Sequence, residues 1–537
     1  MLGFSRSSLD LRPAEGRPAQ DVHETTGRGQ ERTVSARVAG SADRLADPSA
    51  DQRARGTTGG TVAVLVLAGL LGVTAATYLV IAGTTLGSHL FVPELWFFEN
   101  SEALAPRTIG ETAASTWNAV ALGVWAVAWL LLLVAVRRGV AAGWLLLVGG
   151  AWSVPLAVGP PLFSGDAYFY TAIGAAVHLG VDPYENGPGV LGDEWAVRGA
   201  EEFWRDEPTP YSPPFVFLLR GLARVFHADL ISSFVTLRVL SVLALLVSAY
   251  VLVQIARDLG FAANRAVWLG VLNPLVLLHV VSAAHNDALM VALLLPGLLL
   301  ALRGRPLLGV LFCVAAAGIK VIALVAVFVI GVDHALKQTT WPGRLRALAV
   351  TGGLGAGAFA LTVQLSGFGW GWLDNLDTPG KASEPLAPAT ALAMALDWRD
   401  PPIDGVRQGF LIAGVVLVLV YSGLAKRWGL LRSTGWVFVV VIATGSVVWP
   451  WYLLVPTMIF AAAGTRSERV MVAVWSVLLL FATQPGGQSV LGLLSRPEVD
   501  HVMLWTYVVL VIGGLAWAMR NRPWRRQEAE PAPADVS

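Results

Sequence analysis

The chain reads as long apolar runs separated by short polar connectors, interrupted by three much longer polar stretches. The runs fall at about 61–84, 116–136, 141–159, 230–256, 266–283, 288–303, 306–319, 321–334, 344–366, 406–424, 434–448, 451–464, 468–484 and 500–519. A full helical crossing of a bilayer needs roughly 20 apolar residues, and several runs are shorter. Those on either side of Lys320 and of Trp449 therefore predict broken, re-entrant or strongly tilted helices. The pattern predicts an all-α polytopic membrane protein with about 12–14 transmembrane or re-entrant helices.

Residues 1–59 contain no apolar run able to bury much surface and predict a disordered tail. They are too long and too acidic for an ordinary cleaved leader, so the first span is expected to stay in the mature chain. Residues 60–520 form the membrane domain and 521–537 a second tail. Starting with the Arg-bearing tail inside, the Lys and Arg clusters around Arg137, Arg257, Arg303, Lys337, Lys426, Arg466 and Arg520 all fall on the cytoplasmic side. Both termini are then cytoplasmic. The polar stretches 85–115, 160–229 and 367–405 lie outside, where 168–180, 197–206 and 213–226 have the pattern of interfacial helices.

Composition narrows the class. Hydrophobic residues make up 55% and charged residues 14%, against roughly 25% charged in soluble proteins, which excludes a water-soluble enzyme. A net charge of +1 argues against a nucleic-acid partner. The single cysteine, Cys313, excludes an internal disulfide and a cysteine metal site. No phosphate-loop or dinucleotide motif occurs, so no cofactor is expected, and any donor should arrive through the bilayer.

The stretch Ser164-Gly165-Asp166-Ala167-Tyr168-Phe169-Tyr170 puts a carboxylate just after a span, beside aromatics. Partial desolvation there raises a carboxyl pKa and makes Asp166 a better base at neutral pH. The competing reading is a helix cap for 167–177. Asp182-Pro183-Tyr184 and Pro208-Thr209-Pro210-Tyr211-Ser212-Pro213-Pro214 are proline-stiffened turns. They aim Tyr184 and Tyr211 either at sugar rings or into an interfacial aromatic belt.

His285-Asn286-Asp287 forms a polar turn between two apolar runs, with Asn273 and His279 upstream. An aspartate near hydrocarbon costs about 2.5–3.5 kcal/mol on insertion scales, so such residues are seldom idle. The turn is suited to holding a phosphate or orienting a hydroxyl, and Asp287 alternatively caps the next helix. It offers too few ligands to indicate a metal. Lys320, a lone cation between short helices, either meets a lipid phosphate or snorkels to the interface. Trp449-Pro450-Trp451-Tyr452 reads as the kinked wall of a cavity or as belt residues. No role is assigned within the loop holding Trp370, Trp372, Asp374, Asn375, Asp377, Lys381 and Glu384.

Together, 164–168, 182–184, 210–214, Asn273-Pro274, 285–290, Lys320 and Trp451-Tyr452-Leu453-Leu454 resemble the actinobacterial polyprenol-phosphate-mannose-dependent alpha-(1,6)-mannosyltransferases over about residues 110–510. The resemblance implies the integral-membrane C-type (GT-C) glycosyltransferase fold. It also implies Asp166 as catalytic base and a cavity lined by 285–287. Tyr168, Tyr170, Tyr184, Tyr211, His285, Asn286, Asp287, Lys320, Trp451 and Tyr452 are the donor- and acceptor-binding candidates. Gly165 stands where a larger, often basic, residue is expected.

The implied partners are a polyprenyl-phosphate-mannose donor and a mannan or lipid-linked mannoside acceptor. The implied role is extracytoplasmic elongation of the lipomannan and lipoarabinomannan core at the plasma membrane. One base and a phosphate leaving group point to single displacement with inversion, since a retaining route requires a second close carboxylate. A lipid-linked sugar transporter or flippase, a non-catalytic scaffold and an enzyme using another lipid-linked sugar such as arabinose are the alternatives. Against the transporter, the polar groups gather at span ends rather than near the midplane.

Overall fold

A computed structural model of the chain describes residues 58–83, 111–381, 386–397, 399–482 and 506. Every regular element among them is helical, the outcome required where no water satisfies an open strand edge. Gly59–Gly83, Thr116–Arg137, Leu230–Asp258, Trp341–Ser366 and Ile403–Gly423 are long and apolar enough to cross a bilayer. Six shorter apolar helices accompany them: Ala142–Val158, Asp287–Leu302, Pro306–Ile319, Val321–Leu336, Leu430–Thr444 and Pro450–Ala463. The protein is an all-α polytopic membrane protein. All but residue 506 of the expected span at 500–519, most of the loop at 85–115, almost all of both tails and Glu384 lie outside the described residues.

The run 266–283, read from the sequence as one span, is instead two helices, Ala263–Gly270 and Pro274–Ser282, bent by 55°. Pro274 lacks an N–H, and the Asn273 side chain accepts from Leu275 N at 3.1 Å, so a new helix starts there. Its last turn, Leu278–Ser282, is a π-helix closed by Ala283 N donating to Leu278 O at 3.0 Å. Single π turns recur at functional sites. The predicted breaks at Lys320 and Trp449 are present as extended residues before short 3₁₀ turns.

Small residues and tryptophans hold the helices together, as expected where apolar burial alone gives no advantage over lipid. Trp129 and Trp268 stack at 4.8 Å, and each indole N–H donates to the other residue's carbonyl, at 2.9 and 2.8 Å. Trp152 packs against Gly72, where a Cβ would come within 2.1 Å of the indole nitrogen. Gly297 and Gly309 touch so closely that a Cβ on either would meet the other's carbonyl oxygen, at 2.8 and 2.6 Å. That contact clamps Asp287–Leu302 and Pro306–Ile319 into a hairpin. The first residue of one helix and the residue after the other, Asp287 and Lys320, are therefore brought to the same end.

The polar stretch 160–229 folds into Asp166–His178, Trp195–Gly199, Glu202–Asp206 and Pro213–Val225. The helix expected at 197–206 is thus split at residues 200–201. The stretch 367–405 rests on it: Asn375 Nδ2 donates to Tyr184 O at 3.0 Å and Lys381 pairs with Glu207 at 2.7 Å.

Candidate active site

Two pairs of ionisable side chains lie together. In the first, His285 Nδ1 is 3.1 Å from Asp166 Oδ2. In the second, Lys320 Nζ donates to Asp287 Oδ2 at 2.6 Å. The sequence turn 285–287 therefore serves both pairs: His285 joins Asp166, Asp287 joins Lys320, and the buried Asn286 side chain has no protein hydrogen bond. Lys320, expected as a lone cation, is half of an ion pair. The hairpin geometry explains this, because it seats the lysine against a carboxylate that is 1% exposed and would otherwise be an isolated buried charge.

The 3₁₀ turn Pro450–Leu453 braces both pairs with consecutive aromatics. The Trp451 ring stacks on His285 at 4.0 Å, and Lys320 Nζ sits 4.2 Å over the Tyr452 ring. Trp449 stacks behind Trp451 at 5.2 Å. His279, on the π turn, packs against both His285 and Trp451 at 5.3 Å, and neither of its buried ring nitrogens has a hydrogen-bond partner.

Asp166 opens its helix without capping it; the N-cap is Gly165. Its oxygens go elsewhere: Tyr170 Oη, one turn on, donates to Oδ2 at 2.9 Å, and Ser164 Oγ donates to Oδ1 at 3.0 Å. Tyr211 Oη donates to Tyr170 Oη at 3.4 Å, extending the chain of hydroxyls. The Asp166 side chain keeps 13% exposure while His285 has none, and Oδ1 accepts from Ser164 alone while Oδ2 takes two partners.

The expected rise in the Asp166 pKa is reversed. Burial pushes it up, but the charge and hydrogen bond of His285, the Tyr170 hydroxyl and the Lys320 ammonium together hold the carboxyl below its usual value. The tyrosines move the other way. Burial first, then the Asp166 charge, raises Tyr170 and Tyr211 well above the ordinary phenol value, keeping both as neutral donors.

The other candidates are placed differently. Tyr168 is fully buried, stacked on Phe234 at 5.3 Å with Trp195 edge-on at 6.0 Å; two residues past Asp166, it faces the helix's other side. Tyr184 donates from Oη to Tyr211 O at 3.2 Å and so supports Tyr211 from behind. Gly165 has no room for the larger residue expected there, because a Cβ would lie 2.6 Å from Gly199 O. Ser212 Oγ donates to Gly318 O at 2.8 Å, tying the Tyr211 turn to the last turn of the helix that ends at Lys320.

Three features of the site were not read from the sequence. Arg238 is buried inside the Leu230–Asp258 span and donates to Ala157 O, Gly159 O and Ser282 O at 3.1, 2.7 and 2.7 Å. Ser282 Oγ accepts from Leu162 N at 3.0 Å and donates to Pro160 O at 3.3 Å. The pair stitches the segment leading to Asp166 onto the segment leading to His285. A charged residue inside an apolar span was the available signal. The third feature is backbone: Phe163 (φ 70°) and Ala284 (φ 51°) are left-handed without being glycine, at roughly 1–3 kcal/mol each. They stand just ahead of Ser164 and His285. Among the described residues no three His, Cys, Asp or Glu side chains converge as a metal ion requires.

Comparison with known proteins gives concordant results. A Mycolicibacterium smegmatis protein named probable alpha-(1->6)-mannopyranosyltransferase is 26% identical, the match covering 72% of this chain and 77% of its own. Alpha-(1->6)-mannopyranosyltransferase A of Corynebacterium glutamicum is 27% identical over 68% of this chain and 78% of its own. An alpha-(1->6)-mannopyranosyltransferase of Mycobacterium tuberculosis is 26% identical over 71% and 75%. No solved structure matches. The stretch carrying Asp166, His285, Asp287 and Lys320 lies within residues 69–335, and those residues belong to the family described as alpha-(1->6)-mannopyranosyltransferase, N-terminal domain.

Proposed function

We propose that the protein transfers mannose from polyprenyl-phosphate-mannose to a mannan acceptor on the extracytoplasmic face, forming alpha-(1->6) linkages with inversion. The names of the relatives support the sugar and the linkage. The observation that carries the chemistry is the partly accessible Asp166 carboxylate, held ionised by His285 and Tyr170 beside the Lys320–Asp287 pair.

In this scheme the acceptor hydroxyl approaches Asp166 Oδ1 and gives up its proton as its oxygen attacks the anomeric carbon. The bond from that carbon to the phosphate oxygen breaks, and polyprenyl phosphate leaves with the electron pair. A β-linked donor gives an α-linked product. Lys320, with two N–H groups beyond the one given to Asp287, offsets the charge that develops on the phosphate. Asp287 is buried and committed to Lys320, which supports inversion over a two-carboxylate retaining route. The polyprenyl tail suits a protein whose apolar helices face lipid, and growth of the lipomannan and lipoarabinomannan core is the corresponding role.

The test is linkage analysis of the product made by purified enzyme from polyprenyl-phosphate-mannose and a short α-(1->6)-mannoside, with the arabinose-bearing donor in parallel. Asp166→Asn should lower transfer by about 10²–10⁴-fold with unchanged thermal stability to within a few degrees. Full turnover by Asp166→Asn would remove the base, and transfer of arabinose alone would replace the donor.

A further inference from the structure

A cavity lies beyond the Ala142 end of the Ala142–Val158 helix, whereas Asp166 follows its Val158 end. It is an open groove of about 760 Å³ between Glu111–Arg137, Ala263–Gly270 and Arg466–Leu479. Ala142–Val158 fixes the separation: a four-residue connection joins its start to Arg137, and Asp166 follows its end. Seventeen residues rising 1.5 Å each make this helix about 25 Å long, with the groove's Arg137 joined to one end and Asp166 to the other.

Each of the three helices presents the groove with the same design, arginine at the end and apolar residues along the same face. Leu130 and Leu133 precede Arg137 at helical spacing, Trp268 and Leu269 follow Arg265, and Val470, Val474 and Leu478 follow Arg466. The exposed side chains Leu130, Val470, Val474 and Leu478 are open along the groove. The connection is held in place by Asn264, whose Nδ2 donates to Val136 O at 3.2 Å and Val140 O at 3.0 Å.

The charge is one-sided. Arg137, Arg265, Arg466 and Arg469 line the groove and no acidic side chain among the described residues does. Glu468, between Arg466 and Arg469 in the chain, is instead bonded by Arg432, Trp436 and the Thr465 backbone. Arg137, Arg265 and Arg466 have no ion-pair partner among the described residues. Arg469 is engaged by Gly464 O and lies over the Phe261 ring, so three uncommitted guanidinium groups over apolar walls remain, and they match an amphiphile with an anionic head and hydrocarbon tails. A soluble anion would leave the walls unused, and the distance from Asp166 separates this site from the sugar donor.

We infer that this groove binds an anionic bilayer phospholipid, its phosphate among the arginines and its chains along the Leu130, Val474 and Leu478 faces. Native mass spectrometry of the full-length protein, titrated with phosphatidylglycerol and with phosphatidylcholine of the same chain length, reads the preference directly. The wild type should hold phosphatidylglycerol at least about tenfold more tightly, and Arg265→Gln/Arg466→Gln should erase the difference. Val474→Trp, which fills the groove and leaves the arginines in place, should weaken both lipids. An unchanged preference in the double arginine variant would overturn the assignment. So would displacement of the lipid by millimolar inorganic phosphate, or a dimer that falls apart in that variant, which would give the groove to a second copy of the chain.

Discussion

Asp166 and His285 are 119 residues apart in the chain and 3.1 Å apart in space. An ionised carboxylate only accepts, so the imidazole donates from Nδ1, and the contact helps to hold the aspartate charged.

That charge sets the pH dependence. With its carboxyl held below the ordinary value, Asp166 stays a base as the solution is acidified from neutrality. The acid limb of kcat/KM should lie below the usual carboxylate range, about pH 4. His285→Ala removes the largest lowering influence, so its limb should move up and its rate at pH 5 should fall relative to pH 8. For stability the sign is the same: a depressed carboxyl contributes above its unfolded pKa and is lost as pH drops through its folded one. A pH-independent ratio between variant and wild type would rule out this coupling.

Lys320→Met strands a carboxylate that is 1% exposed, and breaking a buried pair in this way costs about 3–5 kcal/mol. Lys320→Met/Asp287→Leu should recover most of the thermal stability. It should not recover transfer, because the phosphate has lost its cation. Thermal melts beside turnover assays separate the two effects; full activity in the double variant would make the pair purely structural.

Ser282→Ala removes a hydroxyl that holds both Leu162 N and Pro160 O. The segment carrying Asp166 is loosened while the substrate-facing groups stay. A displacement of about 1 Å can cost up to about a hundredfold, so kcat should drop by about tenfold or more with KM nearly constant. A change in KM alone would contradict a positioning role.

Gly165→Ala should destabilise the protein by about 1–3 kcal/mol through overpacking, since the new methyl would press on Gly199 O at 2.6 Å. Differential scanning fluorimetry would detect it, and a wild-type melting temperature would mean that the 199–201 segment can shift freely.

Much of the fold is legible in the sequence because apolar run length and the bilayer set each other. The described helices track the runs to within a few residues, except where Asn273-Pro274 bends one run into two without interrupting its hydrophobicity. The site's members are legible for a related reason: Asp166, His285, Asp287 and Lys320 are conspicuous as polar residues at the ends of apolar runs. Their pairing is not, because it depends on which helix ends the Gly297–Gly309 contact brings together. The net pKa shift of Asp166 could not be read either, since burial and three opposing partners compete and only their positions decide the balance. Arg238 carried a signal in its setting, whereas the left-handed backbone at Phe163 and Ala284 carried none, as neither residue type prefers it.

Those two residues have a consequence for how the site ages under mutation. Glycine would hold the same angles with less strain, yet it would let the neighbouring carboxylate and imidazole swivel. Side chains that resist the conformation, locked in by their surroundings, give the two segments a stiff approach and a fixed aim. Replacement by glycine should therefore blunt the alignment of Asp166 and His285 even where the protein melts no sooner.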